Sequence, residues 1–119
     1  MKFQAVMEHV VWISSIARNL EAGVKNSIDE VSDPTACQIG HWIEEHRSEL
    51  TALPEFLAFD LKHKEMHSCV SNAVQFANES KSKEESVKIN GEWIWMRRSF
   101  ELIDAWYNLE KKLPANLLE

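Results

Sequence analysis

Two histidines, His63 and His67, stand one helical turn apart in a stretch whose other inward positions are apolar. Phe56, Phe59, His63, His67, Val70, Val74 and Ala77 follow one another in steps of three and four, which places them on one helix face. That face should turn inward, so both imidazoles occupy a core seam. Side chains at i and i+4 project from the same side, displaced by about 6 Å along the axis, and both can reach one cation between helices. Neutral imidazole is a common zinc ligand. A single core histidine, by contrast, is usually a packed residue with both ring nitrogens hydrogen-bonded, and the pair alone does not define a metal site.

Further donors must be borderline or soft and must lose their protons to bind. The chain offers Cys37, Cys69 and five histidines. Cys69 lies two residues beyond His67, about 200° around the helix, and so faces away from an ion shared by the pair. Cys37 stands near the start of a helix, three residues before Gly40, whose missing side chain would let another helix approach closely. It can serve as a thiolate ligand. Three histidines compete for the fourth place. His9 flanks the apolar stripe of the first helix, His41 is at i+4 from Cys37 but adjoins a loop, and His46 lies too far along its helix to share an ion easily with Cys37. Spacing does not choose among them.

The elements that must position these groups are helical. Only three glycines and three prolines occur, and the segments between them carry three-four periodicity with no strand candidate. A first helix is expected over 2–25, with Phe3, Val6, Val10, Ile13, Ala17, Leu20 and Val24 as its stripe. The segment 26–33 is polar. Asp33-Pro34 then combines an N-cap carboxylate with a proline suited to a first helical position, and opens a shorter second helix. Ile39, Trp42, Ile43, His46 and Leu50 form its inner side, Gly40 weakens it, and it ends before Pro54. A third helix spans 54–79. Ser82 and Glu85 form a capping box for a fourth, with Ile89, Trp93, Met96, Phe100, Ile103 and Tyr107 as its stripe and Pro114 as its stop. Asn90-Gly91 is a hairpin signal, but its flanks are helical, so packing should override it at a cost of about 1 kcal/mol. Four apolar-faced helices bury their stripes by packing together, and the fold expected is all-α, a four-helix bundle. Most of the five tryptophans should fill its core, and a partly exposed subset could contact another subunit.

With 119 residues the chain is expected to form one domain over 1–119. A net charge of −6 with scattered basic residues argues against nucleic acid and anionic membrane as partners. MKFQAVMEHVVW has no continuous apolar run before Glu8 and His9, and no eighteen-residue apolar stretch occurs, so neither a signal peptide nor a membrane span is expected. Two cysteines without a secretory signal read as reduced thiols, and the expected location is the cytoplasm.

Three motifs then act together. His9-Val10-Val11-Trp12, Cys37-Gln38-Ile39-Gly40-His41-Trp42 and His63-Lys64-Glu65-Met66-His67 resemble, in order and spacing, the chemoreceptor zinc-binding (CZB) domain family across essentially the whole chain. The resemblance implies a 3-His, 1-Cys zinc site at His9, Cys37, His63 and His67. It also implies a regulatory module, commonly a homodimer, joined to a chemoreceptor signalling domain or a diguanylate cyclase, and associated with sensing zinc or oxidants such as hypochlorous acid. No output domain is evident here, so a free-standing member, a subunit acting in trans and a piece of a larger receptor all fit. Four protein ligands close the coordination sphere, whereas catalytic zinc keeps an open position, so no enzyme is expected. Two other readings compete. A metal-independent helical dimerisation module would leave the histidines merely packed. A di-iron enzyme or carrier needs paired Glu-x-x-His motifs, and only Asp60 precedes His63 at that spacing. Asp60 is instead expected to be an exposed carboxylate or to orient His63.

Overall fold

A computed structural model describes residues 3–23, 28–79 and 92–117, and every regular element among them is helical. Helices α1 (Phe3–Glu21), α2 (Ile28–Ser32), α3 (Gln38–Leu50), α4 (Pro54–Glu79) and α5 (Glu92–Glu110) are followed by a 3₁₀ turn, Ala115–Leu117. The four longer helices form the all-α bundle that the periodicity demands. α4 is its centre, packed against each of the others, and α1 also packs against α3 and α5. None of the helices is long and apolar enough to cross a membrane.

α4 has the bounds and the inner face its sequence dictates. Phe56, Phe59, Val70 and Val74 are fully buried, and His63 and His67 are each 1 % exposed among them. The side chain of Ala77 lies outside the described residues. On α1, Val6, Ile13 and Leu20 are buried and Val10 half-buried, whereas Phe3 at the end of the stripe is exposed. Val24 lies outside the described residues. Trp42 of α3 meets Trp106 of α5 at 5.6 Å between ring centroids, and Phe59 of α4 meets Trp106 at 5.4 Å. This aromatic cluster joins three helices.

Four local expectations need correction. The inner face of α5 is Leu102, Ala105, Trp106 and Leu109, while Met96, Phe100 and Tyr107 of the expected stripe are 52 %, 63 % and 57 % exposed. Both faces of this helix are apolar, and the one carrying the large indole docks. The polar segment after α1 contains the one-turn α2, whose Val31 is buried against α4. α3 begins at Gln38 rather than at Pro34, because the Asp33 carboxylate closes a turn on its own neighbour, accepting from Thr35 N at 2.9 Å and Thr35 Oγ1 at 2.6 Å. Asp60 is buried, and it accepts from Arg47 of α3 at 3.0 Å and from Lys64 at 3.1 Å, so it ties α3 to α4 rather than orienting His63. Ser82, Glu85, Ile89 and Asn90-Gly91 lie outside the described residues, as does the side chain of Trp93.

Candidate metal centre

Cys37 is the N-cap of α3. Its backbone is extended (φ −86°, ψ 167°), and Gly40 N–H donates to its Sγ at 3.3 Å. The sulfur thus takes the place a serine or aspartate oxygen usually fills at a helix start, at the positive end of the helix dipole. Gly40 is required there for a second reason. A Cβ at this position would fall onto the carbonyl of Pro34, whose turn folds back over the first turn of α3. The close approach anticipated from this glycine is therefore made by the chain's own preceding turn, not by another helix.

His67 is fixed from the opposite side. Its Nδ1–H donates to the carbonyl of Val31 at 2.9 Å, which commits the ring proton to Nδ1 and leaves the Nε2 lone pair directed inward. α2 exists, in effect, to present that carbonyl. His63 comes from one turn earlier on α4, with the two Nε2 atoms 3.1 Å apart. From α1, His9 brings its Nε2 to 3.0 Å from His67 Nε2, and the indole of Trp12 packs edge-on to His9 at 5.5 Å. Cys37 Sγ lies 3.0 Å from His63 Nε2 and 3.5 Å from His67 Nε2.

The three Nε2 atoms and the sulfur all lie within 4.8 Å of one another. A tetrahedral zinc site with ordinary zinc–nitrogen and zinc–sulfur bonds has ligand–ligand edges of about 3.3 to 3.6 Å, so this set fits such an ion after small adjustments. The donor chemistry fits as well. His67 Nε2 has one lone pair and three close neighbours, so no choice of tautomers turns every contact into a hydrogen bond. A single cation satisfies them together.

Burial sets the protonation states in the same sense. It drives His9 down from 6.5 to about 3 and His63 to about 2, with repulsion from His67 adding to both. His67 is lowered too, by burial working against its bond to Val31. All three rings are therefore neutral, with lone pairs free to bind. Burial pushes the Cys37 thiol up, partly offset by the amide donors at the start of α3, so the sulfur keeps its proton until a positive charge displaces it.

Among the described residues, these four form the group close enough to hold a metal ion. The other sequence candidates stand apart. His41 is exposed, His46 turns to Glu49 at 3.1 Å and packs on Trp42 rather than facing inward, and Cys69 is half-buried outside the cluster. Sequence reasoning missed the Val31 carbonyl, which as a backbone group has no side-chain signature. The apolar spacing of Ile28 and Val31 was the one available hint of a turn docking there.

A family model described as the chemoreceptor zinc-binding domain matches residues 9–74, a span that begins at His9 and contains all four clustered side chains. Neither a curated protein nor a solved structure matches the chain.

Proposed function

The chain belongs to the chemoreceptor zinc-binding domain family, and from that premise we propose that it is a regulatory module that holds Zn²⁺ through His9, Cys37, His63 and His67. The observation carrying this reading is the convergence of three neutral Nε2 atoms and one sulfur from α1, α3 and α4 on one point. Bound there, zinc supplies the positive charge that keeps the Cys37 sulfur as thiolate and links the three helices. The protein side of the site follows from its residues. Val31 orients His67, Gly40 N–H and the α3 dipole favour the anionic sulfur, and Trp12 restricts water. A closed four-ligand set leaves no place for a substrate, so the role proposed is regulatory and not catalytic.

Cys37 is the switch in this proposal. A Cys37 thiolate would react with hypochlorous acid to give the sulfenic acid and chloride, and with the sulfur no longer a ligand the three histidines would be left to hold the ion. α3 contributes no other ligand, so its first turn and the Asp33–Thr35 turn are released together. The output belongs to bacterial signalling, as chemotaxis or cyclic-di-GMP control, through a chemoreceptor signalling domain or diguanylate cyclase in cis or in trans, in the cytoplasm. A homodimer is part of the same proposal. Met96, Phe100 and Tyr107 present an apolar strip of α5 to solvent, which a second copy would cover.

Zinc analysis of the protein purified without added metal tests the site. One zinc per chain, lost in His63→Ala and held more weakly in Cys37→Ser, supports it. Zinc-free protein that takes up none on titration would leave the alternative, a metal-independent helical dimerisation module. If Cys37→Ser binds zinc more weakly yet keeps the structural response to hypochlorous acid, the switch fails while the site stands; if it keeps full zinc affinity as well, Cys37 is not a ligand.

A further inference from the structure

The four side chains are not held alike. His67 is gripped at both ring nitrogens, with Nδ1 on the Val31 carbonyl and Nε2 inside the cluster. His9 is gripped at one. Among the described residues its buried Nδ1 has no hydrogen-bond partner, and its ring is steadied by aromatic edges, Trp12 at 5.5 Å and His63 and His67 at 5.0 Å each. Neither tautomer relieves this. With the proton on Nδ1 an N–H is stranded in the core, and with the proton on Nε2 a lone pair is stranded instead.

From this asymmetry we infer that His9 is the displaceable ligand, the position at which a small monodentate nitrogen, sulfur or oxygen donor from solution enters the coordination sphere. The inference rests on the zinc reading above and deepens it. A metal-bound histidine ordinarily donates its other ring N–H to a carbonyl, carboxylate or water, and losing that partner weakens metal binding by about 10- to 100-fold. Among the described residues His9 has no such partner. Chain connectivity acts in the same direction, because His63 and His67 share one turn of α4 and restrain each other, whereas His9 is the sole ligand on α1. Trp12, itself half-buried, packs edge-on to His9 on that flank of the cluster. Exchange with outside donors therefore begins at α1. Oxidation acts elsewhere, at Cys37 on α3, so the site has two separate points of entry.

Zinc affinity measured by chelator competition in His9→Ala and His67→Ala, with helix content followed in parallel, tests the ranking. His67→Ala should weaken zinc roughly 10- to 100-fold more than His9→Ala. Equal losses, or a larger loss for His9→Ala, overturn it. Should His67→Ala not fold, hydrogen exchange of the native zinc-loaded chain during titration with imidazole decides the matter. Protection should fall first around His9 in α1 and persist at His63 and His67; loss that starts in α3 or α4 overturns the inference. Affinities unchanged in both variants would overturn the zinc reading itself, whereas changed but equal affinities overturn only the ranking.

Discussion

The bundle is closed in two different ways at two places. Around Trp106, rings from α3, α4 and α5 interlock with no ionisable group among them. Around His67, side chains from α1, α3 and α4 meet through donor atoms that repel or strand one another unless a cation joins them. The first junction is closed by shape, at the cost of burying the Trp106 Nε1–H without a partner among the described residues. On the zinc reading the second needs the right protonation states and an ion, which would make its stability a function of solution conditions and would give a regulatory module something to report. A sensor built wholly like the first would be inert, and one built wholly like the second would have no fold to return to.

Truncating the shape-closed junction should have the largest effect. Trp106→Ala removes a fully buried indole and is expected to cost about 3–5 kcal/mol in urea denaturation, the same with zinc or without. A cost that depends on zinc would show that the two junctions are not independent. Removing the ion comes next. With free zinc at a hundred times its dissociation constant, chelation should lower stability by about 2.7 kcal/mol and increase hydrogen exchange around His9, Cys37 and His67, while the amides flanking Trp106 stay protected.

Acid should act on the same junction even in metal-free protein. The unfolded chain takes up protons at its histidines near 6.5, while burial holds His9 to about 3 and His63 to about 2 in the fold. Stability is therefore complete above that pH and is lost progressively as pH falls from about 6.5 toward 3. At pH 6 the loss should be roughly 1–2 kcal/mol, read as a shift in the denaturation midpoint. A midpoint that rises on acidification would mean that the rings are charged in the fold. The smallest effect is expected from Arg47→Ala. Arg47 is a third exposed, and Asp60 keeps Lys64 as partner, so about 1 kcal/mol or less should be lost. A much larger loss would make this ion pair a third junction.

How much of this could be read from residue order varies along the chain. α4 was legible because its inward stripe runs unbroken from Phe56 to Val74, whereas Leu57 and Leu61, exposed on the outer side, are not continued by a second such stripe. α5 was not, because Phe100 and Tyr107 compete with Leu102, Trp106 and Leu109 at the same period, and only the volume of the partner helices decides which set goes in. The start of α3 was misplaced because Asp33 has two uses for its carboxylate, capping a helix or closing a turn, and the turn wins through Thr35. His9, Cys37, His63 and His67 were nameable as a set only through the company of three motifs; periodicity alone left His9, His41 and His46 level. That the fold brings these four together reflects contacts made across α2 and the turn that follows it, which no local pattern encodes.

α4 reaches the other junction through Phe59, on the same face as its histidines. One flank carries His63 and His67, and another carries Lys62 and Glu65, which reach across to Glu101 and Arg98 of α5. Among its described residues α5 contributes nothing to the cluster. A tug at the histidines therefore has one rigid member to travel through before it reaches the outward-facing strip of Met96, Phe100 and Tyr107. In mechanical terms α4 is a crossbeam, twenty-six residues long. A small roll of that beam about its own axis would move both flanks at once, so the message passed to a neighbour would be a rotation of α5 rather than an unfolding.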